Sequence, residues 1–149
     1  DIGTILKTVG MTLVSTVGGA SGPLYGTAFM KAGQLMAGKD AVDINDFVEI
    51  LRVSIEGIKM RGKSTTGEKT MLDAMVPALA AMEGALKAAK DPKEILLEGV
   101  EAAEDGVAYT KTIIATKGRA SYLGERSIGH QDPGATSFTL MLSVIAKSL

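Results

Sequence analysis

The chain has 149 residues, enough for one domain that builds its own core. With 16 basic against 17 acidic residues the formal net charge is −1, which excludes a general nucleic-acid binder, since that needs a net basic face. No cysteine and a single histidine exclude disulfides, thiol chemistry and soft-metal sites, leaving only hard oxygen ligands for an ion such as Mg2+.

Aromatic residues make up 4% and Trp is absent, so the core must be aliphatic and methionine-rich. No stretch reaches the ~18 consecutive apolar residues of a membrane span. Asp1-Ile2-Gly3-Thr4 shows neither the basic region nor the apolar core of a signal peptide. A cytoplasmic location is the expectation. The first residue is not Met and an amphipathic pattern is already running at Ile2, so the chain reads as a fragment whose beginning lies upstream.

The apolar spacing is helical throughout. Ile2, Ile5, Leu6, Val9, Leu13 and Val17 fall on one face at steps of 3 and 4, until Gly18 and Gly19 stop the helix. Ser21-Gly22-Pro23 opens a second, with Ser21 as the expected cap and Pro23 tolerated in the first turn. Leu24, Tyr25, Ala28, Phe29, Ala32, Leu35 and Met36 form its stripe, ending near Gly38. A third starts at Asp43, carries Ile44, Phe47, Val48, Leu51, Ile55 and Ile58, and ends in the polar loop from Arg61 to Gly67. The fourth carries Met71, Leu72, Met75, Leu79, Met82 and Leu86, with an expected kink at Pro77. Asp91-Pro92-Lys93-Glu94 starts a fifth, with a predicted run of roughly 25 residues, about 37 Å. Lys117 to Gln131 lacks helical periodicity, and a loop of that length in a compact domain is usually functional. Asp132-Pro133-Gly134 opens the last helix, with Phe138, Met141, Leu142, Ile145 and Leu149 on one side. No window alternates with period 2. The predicted fold is an all-α antiparallel bundle of about six helices forming a single domain over residues 1–149.

Three glycine-rich segments meet helix starts or junctions. Around Gly19, Ala20, Ser21 and Gly22, glycines admit a bulky anion to the backbone, and a helix N-terminus offers free amides plus about half a positive charge. That is a phosphate cradle, or else a tight helix–helix turn in which Ser21 only caps its own helix. Gly57-Ile58-Lys59-Met60-Arg61-Gly62-Lys63-Ser64 matches the P-loop pattern letter for letter, but a P-loop needs a strand before it, and the residues before this one are helical; the match is rejected. The third run brings Lys117, Arg119 and Arg126 near four glycines before the Asp132 cap, a set able to neutralise a polyphosphate or simply a solvated loop. His130 is read as a turn residue. Glu94, Glu98, Glu101, Glu104 and Asp105 mark a wet helix face, and no carboxylate pair makes a complete Mg2+ site. Methionines 30, 36, 71, 75 and 82 are core filler, with Met71 also placed to cover a flat ligand such as a purine.

The run Gly118 to Ala135, together with Gly18 to Gly26 and Gly67-Glu68-Lys69-Thr70-Met71, resembles the nucleotide-binding subunit of dihydroxyacetone kinases, a domain that also forms the C-terminal half of the ATP-dependent single-chain enzymes. The resemblance implies an eight-helix antiparallel barrel, of which this chain would supply the third to eighth helices. The family's Asp-rich metal loop has no counterpart here. It follows that Mg2+ ligands are expected upstream, no metal ligand is expected in this chain, and the chain alone is not expected to be a complete kinase. By matching positions, the resemblance implies ADP/ATP contacts at Gly19, Ala20, Ser21, Gly22, Gly62, Met71, Arg119, Asp132, Pro133 and Gly134. It implies two partners: a dihydroxyacetone-binding kinase subunit that receives the γ-phosphoryl, and a phosphocarrier of the phosphotransferase system that recharges the bound ADP. The edge left by two absent helices implies either a homodimer or cover from residues outside this chain. The alternatives are a non-catalytic helical adaptor, or the nucleotide domain of a related fatty-acid or ATP-dependent glycerone kinase.

Overall fold

The structure is a computed structural model describing residues 1–149. It holds six α-helices, α1 Ile2–Thr16, α2 Ser21–Leu35, α3 Ile44–Gly62, α4 Leu72–Lys87, α5 Pro92–Thr110 and α6 Pro133–Lys147, with a 3₁₀ segment, Arg119–Ser127, before α6 and no strand. The all-α expectation stands. Two compact units divide the chain, Asp1–Ser64 and Thr65–Leu149.

In the first unit, α1 packs antiparallel on α2 through glycine. A Cβ on Gly3 would stand 2.8 Å from the Gly33 carbonyl oxygen, and one on Gly33 would stand 2.8 Å from that of Gly3. Gly10 and Gly26 repeat the arrangement seven residues further along α1 and seven earlier on α2, at 2.8 and 2.9 Å. Backbone therefore rests on backbone, the geometry in which Cα–H groups approach carbonyl oxygens. The predicted stripe of α1 fares differently. Gly3 and Gly10 are its buried residues, while Ile5 is 62% exposed and Val9 and Val17 also face outward. The glycines bury the backbone and lift the neighbouring side chains off the seam. Asp1 caps α1 through Thr4 N at 2.8 Å, and the Ile2 amide reaches the Lys39 carbonyl at 3.0 Å, tying the start of α1 to the end of α2. α3 lies antiparallel to α2, with Ser54 Oγ donating to the Ala28 carbonyl at 3.3 Å and Gly62 set beside Leu24. Its start is a capping box between Asp43 and Asp46.

The second unit has a conventional core of Leu72, Met75, Met82, Ile95, Leu96, Phe138 and Leu142. Across the chain Met36, Met71, Met75 and Met82 are buried, as expected of core methionines, whereas Met30 is only half-buried. α4 runs through Pro77 without a break. A proline there removes the amide that would bond the Asp73 carbonyl. Gly106 of α5 sits so close that a Cβ on it would overlap that carbonyl oxygen, so α5 packs its backbone directly against it. α5 is 19 residues, about 28 Å, and not the 25 expected. It stops at Thr110, whose hydroxyl donates back to the Val107 carbonyl and accepts the Asp132 amide at 3.0 Å, turning the chain toward α6. No helix is long and apolar enough to cross a membrane.

Candidate functional site

The first unit gathers the residues of the expected cradle. Gly18 has open space around it, and Gly19 turns the chain at φ 70°. The α2 cap is Ala20, not Ser21, which is itself the first helical residue. Ala20 already has helical dihedrals and its carbonyl accepts the Leu24 amide at 3.1 Å, so the helix begins one residue earlier than Ser21 capping requires. No side chain caps this terminus, and no acid stands in its first turn. Among the six α-helices, α1, α3, α5 and α6 are each capped by an Asp, and the first amide of α4 goes to Thr70 Oγ1 at 3.2 Å. The opening turn of α2 thus has neither a side-chain cap nor an acid at its positive end. Gly22 has a second duty: a Cβ there would overlap the Val17 carbonyl oxygen, so its missing side chain serves helix packing. Gly62, the last residue of α3, lies near the first turn of α2, with a Cβ position 3.4 Å from Leu24 Cδ2. The P-loop look-alike is helical from Gly57 to Gly62, then passes through Lys63 in the left-handed region at φ 48°.

The second unit gathers another part. A Cβ on Gly134 would lie 3.2 Å from Met71 Cβ and 3.1 Å from Asp132 Oδ2, so Met71, Asp132 and Gly134 form one cluster at the starts of α4 and α6. Met71 is 4% exposed and packs as the α4 cap. Pro133 is the first residue of α6 and Asp132 its cap, accepting the Ala135 amide at 2.8 Å. Burial pushes the Asp132 carboxyl above the ordinary carboxylate value, helped by the nearby charge of Asp73 and opposed by amides 134 and 135 and by Lys69. Arg119 is exposed and starts the 3₁₀ segment, which Gly124 interrupts at φ 56°. The stretch from Lys117 to Gln131 is therefore mostly tight 3₁₀ turns and not an open loop. His130 is exposed within it.

Two residues missed by the sequence reading organise this end. Asp73, 2% exposed, accepts the amides of Gly67 at 2.6 Å, Lys69 at 2.9 Å and Thr70 at 3.1 Å. Lys69, 4% exposed, donates its ammonium to the carbonyl oxygens of Ser127 and Ile113. Lys69 stood in the Gly67 to Met71 segment that carries the resemblance, without a role of its own, and Asp73 gave no signal. No three His, Asp or Glu side chains group as metal ligands. Asp73 and Asp132 are engaged by amides, so the acids nearest this cluster do not fit a Mg2+ ligand set.

A groove of about 790 Å3 between α2 and α3, lined by Lys31, Leu35, Gly57 and Met60 among others, contains none of these residues.

The helical arrangement is that of dihydroxyacetone kinases. It matches the crystal structure of the dihydroxyacetone kinase of C. freundii in its native form, with a TM-score of 0.70 and 30% identity over 99% of this chain and 24% of that one. A second structure of the C. freundii enzyme, in complex with AMP-PNP and Mg2+, matches with the same TM-score at 28% identity, over 99% and 23%. The chain thus spans about a quarter of those kinases. The chain belongs to the DAK2 domain family, whose model matches residues 1–147. It is 44% identical over 146 residues to the PEP-dependent dihydroxyacetone kinase, ADP-binding subunit DhaL, of Escherichia coli (strain K12), covering 98% of this chain and 70% of that protein. It is 45% identical over 150 residues to the PTS-dependent dihydroxyacetone kinase, ADP-binding subunit DhaL, of Lactococcus lactis subsp. lactis (strain IL1403), again covering 98% and 70%.

Proposed function

We propose that this chain is the nucleotide-holding domain of a dihydroxyacetone kinase. The observation that carries the reading is the bare N-terminus of α2, where glycine-flanked amides meet no side-chain cap. Gly19, Ala20, Ser21 and Gly22, with Gly62, supply the first unit's contacts to ADP or ATP. Met71, Arg119, Asp132, Pro133 and Gly134 supply those of the second. The nucleotide's γ-phosphoryl goes to a hydroxyl of dihydroxyacetone held by a partner subunit. The bond from phosphorus to the β–γ bridging oxygen breaks, one to the substrate oxygen forms, and the hydroxyl proton is released. A phosphocarrier of the phosphotransferase system then rephosphorylates the bound ADP in place. This chain's part is positioning and charge neutralisation. No step is assigned to Mg2+, for which this chain shows no fitting ligand set. A cytoplasmic location and action as one domain go with the reading.

Denaturing the purified full-length protein and weighing the released small molecules tests it: ADP is expected, and its absence favours the adaptor. Arg119→Ala is expected to weaken ADP binding about tenfold in calorimetry, the loss of one guanidinium–phosphate contact, with an unchanged melting temperature. Unaltered affinity removes Arg119 from the site.

A further inference from the structure

Lysine is rarely buried without a purpose, and Lys69 is both buried and strained. Its backbone sits at φ 63°, in the left-handed region that disfavours an L side chain. Such a conformation persists where the surroundings over-determine it, and it concentrates at ligand sites. Here the surroundings are specific. Its amide donates to Asp73 Oδ2 at 2.9 Å, alongside the amides of Gly67 and Thr70 on the same carboxylate. Its ammonium crosses to the Ser127 carbonyl, and reaches that of Ile113 at 3.4 Å. The Ser127 hydroxyl in turn donates to the Gly124 carbonyl at 2.7 Å and accepts the Ala115 amide at 3.0 Å. Two residues on, the Gly129 amide donates to the Lys111 carbonyl at 2.7 Å.

Three separate segments are thus fastened at one ammonium. The turn at residues 67–70 leads directly into Met71. The segment at Ile113 follows α5. The end of the 3₁₀ segment, which begins at Arg119, leads on to Asp132. Backbone carbonyls alone accept from this cation, so the contact fixes main chain and not merely neighbouring side chains.

We propose that Lys69 is a positioning residue, whose ammonium sets the loops bearing Met71, Arg119 and Asp132 in their binding arrangement before nucleotide arrives. The ligand in this proposal rests on the nucleotide reading; the tie itself does not. Pre-setting reduces the ordering that binding would otherwise require.

The test uses Lys69→Met, which keeps length and loses the charge, and Lys69→Arg, which keeps a donor. Both are made in the full-length protein, at a temperature where circular dichroism shows each fully helical. Calorimetry with ADP is expected to show affinity lowered about tenfold or more in Lys69→Met and largely restored in Lys69→Arg. Hydrogen exchange without nucleotide is expected to show faster exchange at the amides of Ala115 and Gly129 in Lys69→Met alone. Wild-type ADP affinity in Lys69→Met overturns the proposal, as does a helical Lys69→Arg that restores nothing. If the wild-type protein itself binds no ADP, the nucleotide reading falls, and the tie is judged on exchange alone: unchanged protection of both amides in Lys69→Met overturns it.

Discussion

The two units solve the same packing problem with opposite materials. In the first, α1 and α2 meet through Gly3, Gly10, Gly26 and Gly33, and the larger apolar side chains of α1 are left partly or wholly outside. In the second, α4, α5 and α6 meet through Leu72, Met82, Ile95, Leu96 and Leu142, each 2% exposed or less. The contrast shows that burial of a helix and burial of its hydrophobic side chains are different things. Where backbone meets backbone, the seam is sensitive to adding one carbon. Where side chains interdigitate, it is sensitive to removing one.

The largest expected effect breaks the first seam. Gly10→Val puts a Cβ within 2.8 Å of the Gly26 carbonyl oxygen and 3.0 Å of the Met30 amide, neither of which yields without parting the helices. A cost of about 3 kcal/mol or more is expected, enough to lose the α1–α2 pair, read as a lower urea midpoint and lost helical signal. Val9→Ala, one residue away and outward-facing, is expected to stay within about 0.5 kcal/mol of wild type in the same measurement. Equal effects would erase the distinction between the units.

In the second unit the order reverses. Met82 is fully buried and lies against Gly99, so Met82→Ala opens a cavity and is expected to cost about 3 kcal/mol by chemical denaturation. A smaller change with the opposite sign is expected at Gly84→Ala. A Cβ there meets nothing within 4 Å in the interior of α4, and alanine is the better helix former by about 0.8 kcal/mol. A rise in melting temperature confirms it; a fall shows that α4 carries a contact at Gly84 beyond those described.

These outcomes bear on what a reader of the sequence can see. The period of 3.6 announced every α-helix, and the Asp43, Asp91 and Asp132 caps marked three starts to the residue. The α1 stripe misled, because glycine adds nothing to a hydrophobic pattern even when it is the buried position. Ser21 misled because capping residues are recognised by type, whereas the turn at Gly19 and Ala20 had already become helical. The end of α5 was hidden for a different reason: Thr110 stops the helix through a long-range bond to the Asp132 amide, which no local window contains. The glycine-rich segments were visible as binding candidates. Lys69 and Asp73 were not, since their partners lie up to 58 residues away in the chain or in an unusual turn.

The smallest effect concerns Asp132, where cap and burial pull in opposite directions. As the α6 cap its carboxylate is favoured by the Ala135 amide; as a half-buried acid near Asp73 it is disfavoured, and burial prevails. Its proton is therefore held more tightly in the folded chain than in the unfolded one, for which the ordinary value is 3.8. Between that value and the folded one, the folded state binds more protons, so this residue's contribution to stability falls as pH rises through the window and stays low above it. Asn caps about as well as Asp and has no charge to bury. Asp132→Asn should accordingly gain on wild type as pH rises from about 3.5 to about 7, by a modest amount that levels off once the folded-state carboxyl is fully ionised. Urea midpoints of the two proteins across that range decide it. Parallel curves would overturn the reading that burial prevails over the cap and over Lys69. The same series on Lys69→Met, which removes an opposing charge, should steepen the slope.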